Sequence, residues 1–296
     1  MKGIMKALII FNPTAGVAAK ADVKGLVIAR LKSLGYQPDV LILDFDFENN
    51  MNVYNSAGLR LVVAVGGDGT VKVAAREIIR RRLAVPLAII PFGSANVLAS
   101  TLGLPLDATG ALALLQEIKT KRIDVGVINN QTYFIVGFSL GYVSSIIIHT
   151  EKGLKNRFGH LGYLLKLLWN KVRIFRIKFR IETQNKVFWV RGNSLIIFNA
   201  FKFFGLEPKK PVSITDGIFN LYIVTNKTFL TLLQAALGVL FYVKPPRYVF
   251  TLDNRYFKIR VKRRHLKTAQ VDGDRIKVPK VMEIECLPQA LEVVVK

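Results

Sequence analysis

The sequence predicts an α/β domain built on a parallel sheet, followed by a second domain that is mainly antiparallel sheet. Three observations carry this. Up to about residue 125, short apolar runs alternate with stretches of helical spacing, as expected for parallel strands joined by helical crossovers. Three of those runs end in loops that combine glycine with small polar side chains. Beyond residue 125, strand-length segments follow one another closely, and some alternate apolar and basic residues with the period of a half-buried strand.

In chain order, Ala7 to Phe11 reads as the first strand and Ala18 to Leu34 as a helix, with Val23, Leu26, Val27 and Leu31 along one side. Val40 to Leu43 reads as a second strand, Leu61 to Val65 as a third and Leu87 to Ile90 as a fourth. Val71 to Arg82 is helical, another helix starts near Val97, and Asp107 is placed to cap a helix running through Ile118. Asn129-Asn130 reads as a hairpin turn. Arg173 to Thr183, Lys186 to Arg191, Ser194 to Asn199, Phe219 to Val224 and Tyr256 to Arg263 read as strands. In the last of these, Phe257, Ile259 and Val261 alternate with Lys258, Arg260 and Lys262, so one sheet face is apolar and the other basic.

Ligands of open parallel sheets bind outside the carboxyl ends of the strands. The first strand ends in Asn12-Pro13-Thr14-Ala15-Gly16, the third in Gly66-Gly67-Asp68-Gly69-Thr70, and the fourth in Pro91-Phe92-Gly93-Ser94-Ala95-Asn96. Glycine permits tight turns and close backbone approach, and the free N–H groups that open a helix favour anions. The Gly66 to Thr70 segment therefore reads as a phosphate cradle holding a carboxylate, which points to phosphoryl transfer. Neither the Gly-x-Gly-x-x-Gly fingerprint nor the Gly-x-x-x-x-Gly-Lys-Ser/Thr loop is present, so the holding falls to backbone donors, hydroxyls and a lysine from elsewhere in the chain.

Composition bounds the partners. Of the 43 lysines and arginines, 15 stand against 10 acids up to residue 125, and 28 against 10 beyond it. The cationic second half calls for a polyanion, either an acidic membrane surface or a nucleic acid. Recognition motifs for nucleic acid are absent. Two apolar stretches, Phe158 to Trp169 with basic flanks and Phe229 to Val243, suit a lipid interface or a protein core. No apolar stretch reaches the ~18–20 residues a bilayer crossing requires. The single cysteine, Cys286, allows no intrachain disulfide and fits a reducing, cytoplasmic setting. His149, His160 and His265 lack metal-ligand spacing.

The ordered set of loops resembles the diacylglycerol kinase catalytic family, which includes sphingosine kinase and is distantly related to NAD kinase. The resemblance extends through Arg122-Ile123-Asp124-Val125-Gly126, Asp216-Gly217-Ile218-Phe219-Asn220-Leu221 and Val271-Asp272-Gly273-Asp274. It implies a nucleotide-binding α/β domain over residues 1–125, a β-sandwich lipid domain over 126–289, and a last strand, 290–296, that returns to the first domain. It implies transfer of the ATP γ-phosphoryl group to a lipid hydroxyl, by default that of diacylglycerol, by a peripherally membrane-associated enzyme. Asn12, Pro13, Thr14, Ala15, Gly16, Gly66, Gly67, Asp68, Gly69, Thr70, Gly93, Ser94 and Asn96 would surround the ATP. Asp274 stands at the position of the family's glutamate base, with Asp68 as the rival. Asp216, with Ser213 and Ile218, would hold a structural magnesium ion (Mg2+), or Asp216-Gly217 is a plain turn.

The chain departs from the family pattern at Lys72-Val73, where Asn-Glu is usual, at Asn96-Val97, at Val143 and at Asp274, which is one methylene shorter than glutamate. A non-catalytic nucleotide or lipid binder and an NAD kinase-like nucleotide kinase are therefore the alternative readings. A homodimer is left open.

Overall fold

A computed structural model describes residues 5–15, 23–93, 95–144, 175–200, 212–225, 248–261, 266 and 268–296. The two apolar stretches at 158–169 and 229–243, the three histidines, Gly16 and Ser94 lie outside them. The chain divides into two compact units. One comprises Met1–Asp124, Lys202–Gly205 and Gln289–Lys296, the other Val125–Phe201 and Leu206–Pro288.

The first unit is the α/β one. Its strands are β1 (Met5–Phe11), β2 (Tyr36–Ile42), β3 (Leu59–Gly66), β4 (Leu87–Pro91) and the end of a long strand that starts at Val281 and finishes at Val295. The order across the sheet is β2-β1-β3-β4 and then that last strand, with all pairs parallel. Helices α1 (Val23–Ser33), α2 (Phe47–Val53), α3 (Asp68–Arg80), α4 (Val97–Thr101) and α5 (Ala108–Ala113) fill the connections. Ala7, Ile9, Leu61, Val63 and Val65 are sealed under Val27 and Leu31 of α1, Ala111 of α5 and Leu115 just after it, so these strands read as continuous apolar runs.

Three differences from the sequence expectations have local causes. β2 begins at Tyr36, because an edge strand tolerates Pro38, whose missing N–H costs no ladder bond there. α3 begins at Asp68, so Asp68, Gly69 and Thr70 form its first turn and are not a loop ahead of it. The Asp107 cap is present, with the Gly110 N–H donating to Asp107 Oδ1 at 2.8 Å, but α5 ends at Ala113. A further short helix, α2, follows Asp46.

The second unit is a β-sandwich. Strand β5 (Lys119–Ile128) leads into it, followed by β6 (Thr132–Phe134), β7 (Gly137–Gly141), β8 (Ile177–Glu182), β9 (Val187–Gly192), β10 (Ser194–Phe198), β11 (Phe219–Val224), β12 (Val249–Asn254), β13 (Tyr256–Val261), β14 (Thr268–Val271), β15 (Asp274–Lys277) and the start of β16 (Val281–Val295). One sheet has the order β12-β11-β10-β7-β14-β15. The other runs β16-β13-β8-β9. Their pairs are antiparallel. Phe138, Leu140, Leu195, Ile197 and Leu221 from the first sheet meet Phe179, Ile181, Phe257, Ile259, Met282 and Ile284 from the second in one core. Asn129 and Asn130 both have positive φ and turn β5 into β6, as the Asn-Asn pair predicts.

Candidate active site

The three glycine-bearing loops leave neighbouring strands at the same level. Phe11 pairs with Val65, Val65 with Ile90, and Gly66 with Pro91. The ladder runs one residue further into each loop: the Asn12 N–H donates to Val65 O at 3.1 Å and the Phe92 N–H to Gly66 O at 2.8 Å. The first loop is held by an Asx turn, in which Asn12 Oδ1 accepts from Thr14 N–H at 3.0 Å and from Thr14 Oγ1 at 2.8 Å. Pro13 and Thr14 are exposed.

The second and third loops touch. A Cβ on Gly67 would lie 2.9 Å from Gly93 Cα, and one on Gly93 would lie 2.6 Å from Gly67 Cα. Only two glycines allow this approach. Asn96, in the left-handed region at φ 46°, folds its amide back onto Gly93: Oδ1 accepts from the Gly93 N–H at 2.9 Å and Nδ2 donates to Gly93 O at 2.8 Å. Asp68 completes the junction. Its Oδ1 accepts from the Leu98 N–H at 3.3 Å, and the N–H groups of Val97 and Asn96 also face its carboxylate. Burial raises its pKa above the ordinary aspartate value, while those N–H groups pull it the other way.

Thr70 goes elsewhere. It is fully buried, and its hydroxyl packs where a Cβ on Gly66 would sit, 2.2 Å away. Gly69 is the opposite case. It lies in the first turn of α3 without positive φ, and a Cβ there would meet nothing within 4 Å. The fold gives no reason for glycine at that position. The N–H groups of Gly67 and Gly69 open α3 without a backbone acceptor in the helix, and that of Asp68 faces its own carboxylate. Unpaired N–H groups at a helix start, with no side chain over them, are the kind of donor set that favours an anion.

In the second unit, Asp272 and Gly273 have φ of 46° and 92° and turn β14 into β15 with Val271 opposite Asp274, a two-residue hairpin of the primed type. Asp272 is more than a turn residue. Its carboxylate accepts from the N–H groups of Ile135 (2.7 Å), Val136 (2.9 Å) and Gly137 (2.8 Å), which fixes the turn to the start of β7. Asp274 follows, exposed, at the first position of β15. Asp216 is exposed in an Asx turn, accepting from the Ile218 N–H at 3.2 Å, with Gly217 at φ 75°. Ser213 Oγ accepts from the Thr215 N–H at 3.2 Å. Carboxylate, hydroxyl and carbonyl oxygens of such a turn fit a magnesium that keeps several waters. No group of three His, Cys, Asp or Glu residues is placed to hold a metal among the described residues.

Sequence reading missed two anchoring carboxylates, Glu77 and Asp124, and the N–H partners of a third, Asp272. Glu77, 1% exposed, pairs with Arg76 (3.0 Å), Arg80 (2.7 Å) and Arg81 (3.0 Å). Arg76 also meets Glu48, and Arg81 Nη2 donates to Met51 O at 2.5 Å, so the network clamps α3 to α2. The i,i+3 and i,i+4 spacing to Arg80 and Arg81 is the signal that could have found it. The buried Asp124 accepts from the Gln289 N–H at 2.8 Å, and Asp272 holds three N–H groups. Neither contact has a local sequence signal.

A family model for the diacylglycerol kinase catalytic domain matches residues 6–128. A diacylglycerol kinase of Staphylococcus haemolyticus is 28% identical over 223 residues, 74% of this chain and 67% of that protein. One from Staphylococcus aureus is 29% identical over 227 residues, covering 74% and 70%. A crystal structure of a diacylglycerol kinase from Bacillus anthracis aligns with a TM-score of 0.73 at 18% identity, over 100% of this chain and 98% of that one. Residues 6–128, which carry all three loops on their adjacent strand ends, thus match the diacylglycerol kinase catalytic domain, and the chain shares its fold with a solved structure titled as a diacylglycerol kinase.

Proposed function

We propose that the protein transfers the γ-phosphoryl group of ATP to the hydroxyl of diacylglycerol. The observation that carries this is the Gly67–Gly93 contact with Gly69 open beside it, in a chain whose relatives are named diacylglycerol kinases. Phosphoryl transfer needs positioning and charge stabilisation more than covalent help from the protein. The N–H groups opening α3 receive the phosphates, with Asn12 and Thr14 at the flank. Gly67 and Gly93 let the backbone close in, and Asp68 and Asn96 hold the third loop rigid against the second. Magnesium, when bound with the nucleotide, supplies further neutralisation of phosphate charge.

The acceptor hydroxyl must lose a proton as the new bond forms. Asp274 is the group we assign to that proton. Asp68 is the less available acceptor of that proton, because its carboxylate already receives the backbone N–H groups that open α4. Its work is to join the two loops. A second magnesium at Asp216, with Ser213 and the Ile218 carbonyl, would stiffen the turn before β11.

The test is phosphorylation of dispersed lipids with labelled ATP. Labelled phosphatidic acid is the expected product, and turnover falls at least a hundredfold in Asp274→Asn with the KM for ATP unchanged. A folded protein that binds ATP but labels no lipid in a broad panel would end the kinase reading. Undiminished turnover in Asp274→Asn would remove Asp274 as the base.

A further inference from the structure

We propose that Asn199 is a positioning residue for Asp274, acting through the backbone of residues 135–137 and the carboxylate of Asp272. The proposal rests on the reading of Asp274 as the proton acceptor. Asn199 directly follows β10 and is wholly buried. Burying an amide is costly unless it is hydrogen-bonded, and this one reaches across to a short segment between β6 and β7. Asn199 Nδ2 donates to Ile135 O at 2.8 Å. The N–H groups of Asn199 and Ala200 both donate to Val136 O at 3.0 Å.

Asp272 takes the remaining polar groups of that segment. Its carboxylate receives the N–H groups of Ile135, Val136 and Gly137, and its own N–H donates to Gly137 O at 3.0 Å. Every backbone donor and acceptor of residues 135–137 is thereby bonded to residue 199, 200 or 272. Gly137 lets the start of β7 press on β10, since a Cβ there would lie 2.5 Å from Ile197 O. One strand-step along, Ser139 Oγ donates to Gln270 Oε1 at 3.0 Å and ties β7 to β14.

The β14–β15 hairpin is therefore held to β7 along β14 and again at its tip. Asn199 holds the backbone to which the tip is held. Asp274 is exposed and stands two residues beyond Asp272, so the position of its Cα follows the turn. A misplacement of about 1 Å at a reacting group can cost about a hundredfold in rate. A purely structural Asn199 would satisfy the same carbonyls and matter to stability alone. The two roles separate in how the loss of Asn199 depends on the presence of Asp274.

The experiment measures transfer from labelled ATP to dispersed diacylglycerol by the full chain, by Asn199→Ala, by Asp274→Asn and by the double variant, at a temperature where each is folded. In Asn199→Ala, kcat should fall by about tenfold to a hundredfold. The KM for ATP should not change, because the glycine-bearing loops are untouched, and amide exchange at residues 273–275 should quicken. In the Asp274→Asn background the same substitution should cost less than about twofold, because the group it positions is gone. An equal loss in both backgrounds makes Asn199 merely structural and overturns the proposal. So does an unchanged kcat in Asn199→Ala, or a lowered kcat with unaltered exchange in the hairpin. If Asn199→Ala does not fold, Asn199→Ser takes its place with the same expectations; its hydroxyl is a smaller cut but too short to replace Nδ2. Failure of the underlying reading looks different. The natural chain then labels no diacylglycerol, or Asp274→Asn turns over undiminished, and the positioning role falls with it.

Discussion

Gly69→Ala should make the protein more stable and a worse enzyme. Gly69 sits in the first turn of the 13-residue helix α3 with φ in the ordinary range, and a methyl there meets no atom within 4 Å. Glycine in a helix costs about 0.5–1 kcal/mol relative to alanine. The substitution should therefore raise the melting temperature by roughly 1–3 °C. The same methyl would stand where a phosphate oxygen must approach the helix-opening N–H groups. Losing one charge-assisted hydrogen bond costs about 1.5–3 kcal/mol, which is roughly ten- to 150-fold in ATP affinity. Calorimetric titration with ATP analogues and a thermal melt read the two effects separately. A more stable variant with an unchanged Kd would refute the phosphate cradle at this position. A clear loss of stability would refute the structural accounting, since nothing is there to clash.

Gly67→Ala should do the reverse, losing about 1–3 kcal/mol in a denaturant melt, because its Cβ meets backbone at 2.9 Å and the second and third loops must separate. Asp272→Ala leaves the N–H groups of Ile135, Val136 and Gly137 without the side chain that receives them; a cost of about 3 kcal/mol or more is expected, with lowered turnover and faster amide exchange in the β14–β15 hairpin. Glu77 lies below the ordinary glutamate pKa of 4.5: burial raises it, but Arg80, Arg81 and Arg76 together outweigh that. Its folded pKa being depressed, its contribution is complete above the unfolded value and is lost as pH falls through the folded one. Glu77→Gln should cost roughly 1–2 kcal/mol at neutral pH, discounted for the partly exposed arginines, and the difference from the natural chain should shrink in melts taken below pH 4.5. Asp68→Asn keeps one acceptor oxygen but loses the charge, so KM for ATP should rise several-fold more than kcat falls. A kcat collapse at constant KM would make Asp68 the base.

What the sequence made legible was whatever has a short period or a short motif. The Phe257/Ile259 alternation with Lys258 and Arg260 locates β13 and its faces, and Phe219 to Val224 is β11 to the residue. Glycines at three strand ends mark loops that the register then sets side by side. What stayed hidden depends on contacts between distant residues. Nothing near Asp272 announces the N–H groups of residues 135 to 137, and nothing near Asp124 announces Gln289. Thr70 sits in the hallmark with the residues expected at the phosphates, yet helical geometry turns it under Gly66. β2 extends back through Pro38, whose tolerance depends on the strand lying at an edge, a fact of topology and not of local sequence.

Asp68 shows why a motif and a mechanism are different kinds of statement. An aspartate between glycines at a phosphate loop invites a role in chemistry, either on a metal or on a proton. Its side chain instead spans 30 residues to the backbone that opens α4, where each N–H it accepts would otherwise lack a partner. Removing a carboxylate from water raises its pKa, and the N–H dipoles offset part of that cost. Such a group stabilises a particular spacing of two loops, and that spacing is what the Gly67–Gly93 contact requires. The carboxylate and the two glycines are therefore one device. The glycines permit the approach, and the carboxylate holds it through the N–H groups of Asn96, Val97 and Leu98. If a polyphosphate binds here as proposed, Asp68 repels it, and a cation bound with it would relieve that repulsion.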